Sequence, residues 1–117
     1  MKDVVIVSAC RTAIGAFGGT LKDMHAATIA SVTMQEAMKR AGIEPEMIED
    51  VRFGCCMEPA DALNVARVGA LMAGIPDHAT AVTINRVCTS SMEAVISGMA
   101  MIQSGMAHIN LAGGTDQ

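Results

Sequence analysis

The chain has 117 residues, 51% of them hydrophobic and 17% charged, which excludes a disordered tract or polar linker and fits a single domain. Its apolar mass contains 11 Met and 2 Phe but no Trp or Tyr, so the aromatic platforms on which single-stranded nucleic acid stacks are nearly absent. A formal net charge of −4 further argues against a phosphate-backbone binder.

The first element is VVIVSAC, Val4 to Cys10, a continuous apolar run rich in β-branched residues. It reads as a strand covered on both faces, as in a parallel sheet. Apolar runs of this length are too short to span a bilayer, and this one ends at Arg11 without a cleavage-site pattern, so it is not read as a secretory signal. With no export signal and four irregularly spaced cysteines, free thiols in a reducing, cytoplasmic compartment are expected. A loop follows, containing Gly15, Gly18 and Gly19. From Met24 or His25 to Arg40 the spacing predicts a helix, closed by Gly42 with Pro45 beyond it. Asp50 to Cys56 is the second expected strand, and MEPADAL leads to a helix from about Asn64 to Ala73, ended by Gly74 and Pro76.

Thr80 to Asn85 is the third strand, Val87 to Ser104 the third helix, and His108 to Ala112 the last strand, running into Gly113 and Gly114. The order β-α-β-α-β-α-β, joined by right-handed crossovers, gives an α/β fold with a mostly parallel sheet. The third helix carries one formal charge, Glu93, and presents Ala94, Val95, Ile96, Met99, Met101 and Ile102 on its various faces. A helix apolar all round is expected to be buried all round. Lying between two layers, it needs cover from a partner or from further chain.

Cys88 falls between the third strand and the third helix, where the helix dipole and the unpaired N–H groups of the first turn favour a thiolate and can hold an oxyanion. Thr89, Ser90 and Ser91 beside it are small, leaving room for an acyl group. Spacing alone makes Cys88 a candidate nucleophile, since buried inert cysteines are common. Cys10 reads as a core filler, and Cys55 and Cys56 as two free thiols pointing to opposite faces of a strand. There is no CxxC or Cys/His zinc spacing, and His25, His78 and His108 have no carboxylate at an orienting distance in sequence. IGAFGG lacks the Lys-Ser/Thr ending of a phosphate loop and the spacing of a dinucleotide fingerprint.

VVIVSACRTAIGAFGGTLKDM, NVAR at Asn64–Arg67, AGIP at Ala73–Pro76, TINRVCTSSMEAV and AGGTD at Ala112–Asp116 together resemble the thiolases, the acetyl-CoA acetyltransferases and 3-ketoacyl-CoA thiolases. The resemblance runs in order along essentially the whole chain. It implies that residues 1–117 form part of the N-terminal domain of a layered αβαβα fold, with Cys88 as the acyl-thioester nucleophile. It also implies coenzyme A thioesters as substrates, no bound cofactor or metal, and ping-pong kinetics. The activating His and second Cys of the family belong to its C-terminal half and have no counterpart here, so the chain alone is expected to be inactive. A homo-oligomer or a complementing thiolase chain is the expected partner. Ser91 stands where the family usually has Gly, Leu63 where it often has Gln, and Asn110 interrupts a strand normally all apolar. Other readings are a non-catalytic interaction subunit of thiolase fold, a segment of a condensing enzyme similar to the ketoacyl synthases, and, more weakly, a thiol-redox protein using Cys55 and Cys56.

Overall fold

The computed structural model describes residues 2–117. Three parallel strands, β1 (Asp50–Gly54), β2 (Thr80–Ile84) and β3 (Asn110–Gly114), form a sheet in the order β2-β1-β3. The helices are α1 (Ala26–Ala41), α2 (Val65–Met72) and α3 (Ser90–Gln103), with a 3-10 turn at Pro45–Met47. Gly54 pairs with both Ile84 and Gly114, so the three strands end level.

Alternation along β1 divides the molecule into layers. Val51 and Phe53 face α1 and α2 and join a core with Ala30, Met34, Ile48, Ala66, Ala70 and Ile75. Asp50, Arg52 and Gly54 face α3 instead: Arg52 donates to Ser97 Oγ at 3.3 Å and contacts Met101 Sδ at 2.9 Å. The buried carboxylate of Asp50 is satisfied there by Arg52 (2.9 Å), Asn110 (3.0 Å) and the Thr80 hydroxyl. A buried charge needs such partners.

α1 begins where His25 Nδ1 accepts the N–H of Ala27 at 3.0 Å and stops at Gly42, whose φ of 69° a side chain would resist. His25 was expected to have no orienting carboxylate; folding supplies one, Asp61, 2.9 Å from Nε2. α2 is capped by Asn64, which accepts from Arg67 N–H at 3.2 Å. α1 and α2 approach closely at Gly69, where an added Cβ would come within 3.2 Å of Ala30 Cβ.

Two expectations are corrected. Val4–Cys10 is not a strand: Val5, Ile6 and Val7 are 74%, 80% and 71% exposed, and the segment joins no ladder among the described residues. Its bonds run to α1 instead, with Ser8 Oγ donating to Ala37 O (2.9 Å) and Arg40 donating to Ala9 O (3.2 Å). Strand propensity expresses itself only through a paired neighbour. Cys10, in turn, is half-buried rather than in the core, its thiol directed at Thr33 O. α3 buries Ser90, Ala94 and Gly98 against the sheet and leaves Met92, Val95, Ile96 and Met99 exposed, the apolar surface expected to need cover from a partner or from further chain.

Candidate active site

The carboxyl ends of parallel strands are where α/β folds collect functional groups, because the loops leaving them converge. Here β2 ends at Ile84 and α3 starts at Ser90, leaving a tight elbow of five residues around Cys88. Asn85 braces its entry: its Oδ1 accepts the N–H of Val87 (3.0 Å) while its Nδ2 donates to the carbonyl of Cys56 (2.9 Å). Ser90 braces its exit, accepting the N–H of Arg86 at 2.8 Å and donating to the carbonyl of Val87. Between these braces Val87 is held at φ 54°, a left-handed conformation costly for a β-branched side chain. Such strain persists only where the surroundings impose it, and here it turns the chain so that Cys88 is left exposed.

Two glycines let this elbow settle onto the sheet. A Cβ on Gly54 would stand 2.5 Å from the backbone carbon of Ser90, and one on Gly114 would overlap Ser91 Oγ. The start of α3 therefore rests directly on the ends of β1 and β3. Sequence reading placed Gly113 and Gly114 after the last strand; they lie within it, which begins at Asn110 rather than His108.

Cys88 opens on a cavity of about 400 Å³ whose lining includes Cys55, Cys56, Ser91, Thr115 and Asp116. Asp116 reaches across it, its carboxylate accepting the N–H groups of Cys56 (3.2 Å) and Met57 (3.3 Å). Thr115 anchors the same corner through its N–H to Gly54 O (2.9 Å) and its hydroxyl to Ala26 O (2.8 Å). Cys55 and Cys56 sit just past the end of β1, the first buried and the second half-buried. Burial pushes the Cys55 thiol up to about 11, reinforced by the nearby negative charges of Asp116 and Glu58. No histidine lines the cavity. Among the described residues, no group of His, Cys, Asp or Glu is placed to hold a metal ion. A second cavity of about 410 Å³, lined by Cys10, Arg11, Glu36, Lys39 and Arg40, shares no residue with it.

Sequence reasoning singled out Cys88 as a candidate, with Ser91 as its small neighbour, and the fold brings both to this cavity; it gave no part to Asn85 or Asp116. Asn85 carried a signal, being a side chain that readily bonds backbone two residues ahead. Asp116 bonds an amide 60 residues away and carried none.

The family model "Thiolase, N-terminal domain" matches residues 4–117. The chain belongs to the thiolase family. It is 49% identical to an acetyl-CoA acetyltransferase of Syntrophomonas wolfei over 115 residues, 98% of this chain and 29% of that protein. It is 36% identical to the beta-ketoadipyl-CoA thiolase of Pseudomonas putida, over 99% of this chain and 30% of that one. Among solved structures, the Bacillus anthracis acetyl-CoA acetyltransferase superposes with a TM-score of 0.91 at 44% identity, covering 94% of this chain and 28% of that one. A thiolase of Ascaris suum, in complex with coenzyme A, gives 0.94 at 39% identity, covering 97% and 30%. The chain thus spans under a third of the length of these thiolases, and its parallel sheet with flanking helices is part of the thiolase N-terminal domain. The ketoacyl-synthase-like reading yields to this match.

Proposed function

We propose that this chain carries the acyl-accepting thiol of a thiolase, and that Cys88 takes an acyl group from a coenzyme A thioester. The observation that carries the reading is the position of Cys88: exposed, on a strained elbow, at the mouth of a cavity formed by strand ends. In the first half-reaction the Cys88 thiolate attacks the thioester carbonyl, the tetrahedral oxyanion collapses, and coenzyme A leaves as its thiolate. In the second, free coenzyme A or the carbanion of another thioester takes the acyl group, regenerating Cys88. One sulfur serving both halves gives ping-pong kinetics. Thr89 lends the first turn of α3 no side-chain acceptor, and the N–H groups of Ser90 and Glu93 bond the carbonyls of Val87 and Thr89, which leaves the N–H groups of Ser91 and Met92 as a candidate cradle for the oxyanion.

The lining holds no histidine to activate Cys88, and Asp116 is already committed to three backbone N–H groups. Proton transfer then falls to groups outside residues 1–117, and the 117 residues by themselves accept an acyl group slowly and do not turn over. The four free thiols fit action in a reducing compartment such as the cytoplasm. The test is incubation with acetyl-coenzyme A, read by intact and peptide mass spectrometry. An acetyl thioester on Cys88, lost in Cys88→Ala, is expected. Acetylation confined to other residues would remove the proposal.

The exposed apolar face of α3 favours a second reading, a thiolase-fold subunit whose role is to pair with another chain. An unchanged Cys88 together with a stable hetero-complex would favour it.

A further inference from the structure

We infer that Cys56 and Cys88 form a peroxide-sensitive thiol pair, in which Cys56 captures oxidised Cys88 as an intramolecular disulfide. The inference rests on the reading of Cys88 as an open, reactive thiol and adds a covalent modification of that site. Both cysteines line one cavity. One side chain, Asn85, ties together the two segments that carry them: its amide atoms bond the carbonyl of Cys56 (2.9 Å) and the N–H of Val87, the residue before Cys88 (3.0 Å). Asp116 fixes the loop from the other side through the N–H of Cys56 (3.2 Å). Cys56 has no part in the acyl-transfer scheme, yet its backbone is fastened on both sides of the thiol.

The remaining cysteines are poor competitors. Cys55 is buried and its thiol holds its proton well above neutral pH, so it attacks a sulfenic acid slowly. Cys10 lines the other cavity and directs its thiol at Thr33 O. Cys88 is exposed, as the first thiol oxidised must be.

The oxidant is a hydroperoxide, hydrogen peroxide being the simplest. The Cys88 thiolate attacks one peroxide oxygen and the O–O bond breaks. This gives a sulfenic acid and hydroxide, which leaves as water with the thiol proton. The Cys56 thiolate then attacks the Cys88 sulfur, the S–S bond forms, and the S–O bond breaks. The departing hydroxide takes the Cys56 proton. Two thiols lose two electrons and one peroxide becomes two waters. The disulfide blocks acylation, protects Cys88 from irreversible oxidation, and is undone by a dithiol.

The test treats the purified protein with one equivalent of hydrogen peroxide, blocks free thiols, and sequences the cross-linked peptides. A dithiothreitol-reversible Cys56–Cys88 link is expected in the native chain and in Cys55→Ala. In Cys56→Ser the link is absent and Cys88 takes up dimedone. A Cys55–Cys56 link, an intermolecular Cys88–Cys88 link, or oxidised Cys88 beside free Cys56 would overturn the inference. Acetyl-coenzyme A labelling of the reduced sample separates the two readings. Acetylated Cys88 that never forms the link removes the thiol pair alone, whereas the link without acetylation leaves the pair and removes acyl transfer.

Discussion

The carboxamide oxygen of Asn110 occupies space that a side chain at position 98 would need: a Cβ on Gly98 would lie 2.9 Å from it. The same oxygen is buried without a hydrogen-bond partner, because the amide nitrogen is turned toward Asp50. Gly98 and Asn110 thus fit one another at the seam between α3 and β3.

Gly98→Ala is expected to destabilise the fold by about 1–3 kcal/mol, the usual cost of overpacking, despite the better helix propensity of alanine. In an Asn110→Ala background the added cost of Gly98→Ala should shrink, since neighbouring sites couple. Urea unfolding of the four chains of this cycle measures the coupling, and strict additivity would contradict it.

His25 caps α1 through Nδ1 and donates from Nε2 to Asp61. His25→Ala should cost about 1 kcal/mol, the usual value of a lost N-cap, while His25→Asn keeps an acceptor and costs less. Thermal unfolding of both variants distinguishes a cap from an ordinary surface residue, for which the two would be equal.

Glu49 accepts the N–H groups of His108 (2.8 Å) and Ile109 (3.0 Å), and these bonds hold its pKa below the ordinary 4.5. A lowered native pKa stabilises above the unfolded value and loses that contribution as pH falls through the native one. Glu49→Gln should therefore be less stable than the parent at pH 7, and the difference should narrow in acid below 4.5. Denaturant midpoints between pH 7 and pH 3 provide the check.

Cys55 shifts the other way, from 9.0 to about 11, chiefly through burial. A raised native pKa stabilises fully below the unfolded value, and here that contribution is lost progressively between 9.0 and about 11. Part of any alkaline loss of stability in this window should vanish in Cys55→Ala. Iodoacetamide at neutral pH should modify exposed Cys88 well before Cys55, read by peptide mass spectrometry.

The exposed face of α3 should drive the 117-residue chain to associate. Ile96→Glu, on that face, should shift sedimentation toward monomer without loss of helix. A chain already monomeric at tens of micromolar would contradict this.

Local chemistry read well from the sequence. The glycine stop of α1, the start of α2 near Asn64 and Cys88 ahead of α3 each depend on residues within one turn of one another. What failed depended on a second party. Val4–Cys10 has the composition of a strand, but a strand is a relation between two segments, and this one bonds α1 through Ser8, Ala9 and Cys10. The left-handed turn at Val87 was hidden because valine rarely adopts it, and only the braces from Asn85 and Ser90 explain it. His25 and Asp61 are 36 residues apart, beyond any spacing rule.

The level ending of the three strands at Gly54, Ile84 and Gly114 restricts how this protein can change over evolutionary time. Deleting one residue from β1 would retract its following loop by about 3.3 Å and turn every side chain beyond the deletion to the opposite face. Phe53 would exchange places with a glycine, and Asp116 would lose the amide it bonds. Length variation is therefore tolerable on the far side of the sheet or out in the loops, while the strand tips behave as a fixed datum from which the elbow is measured.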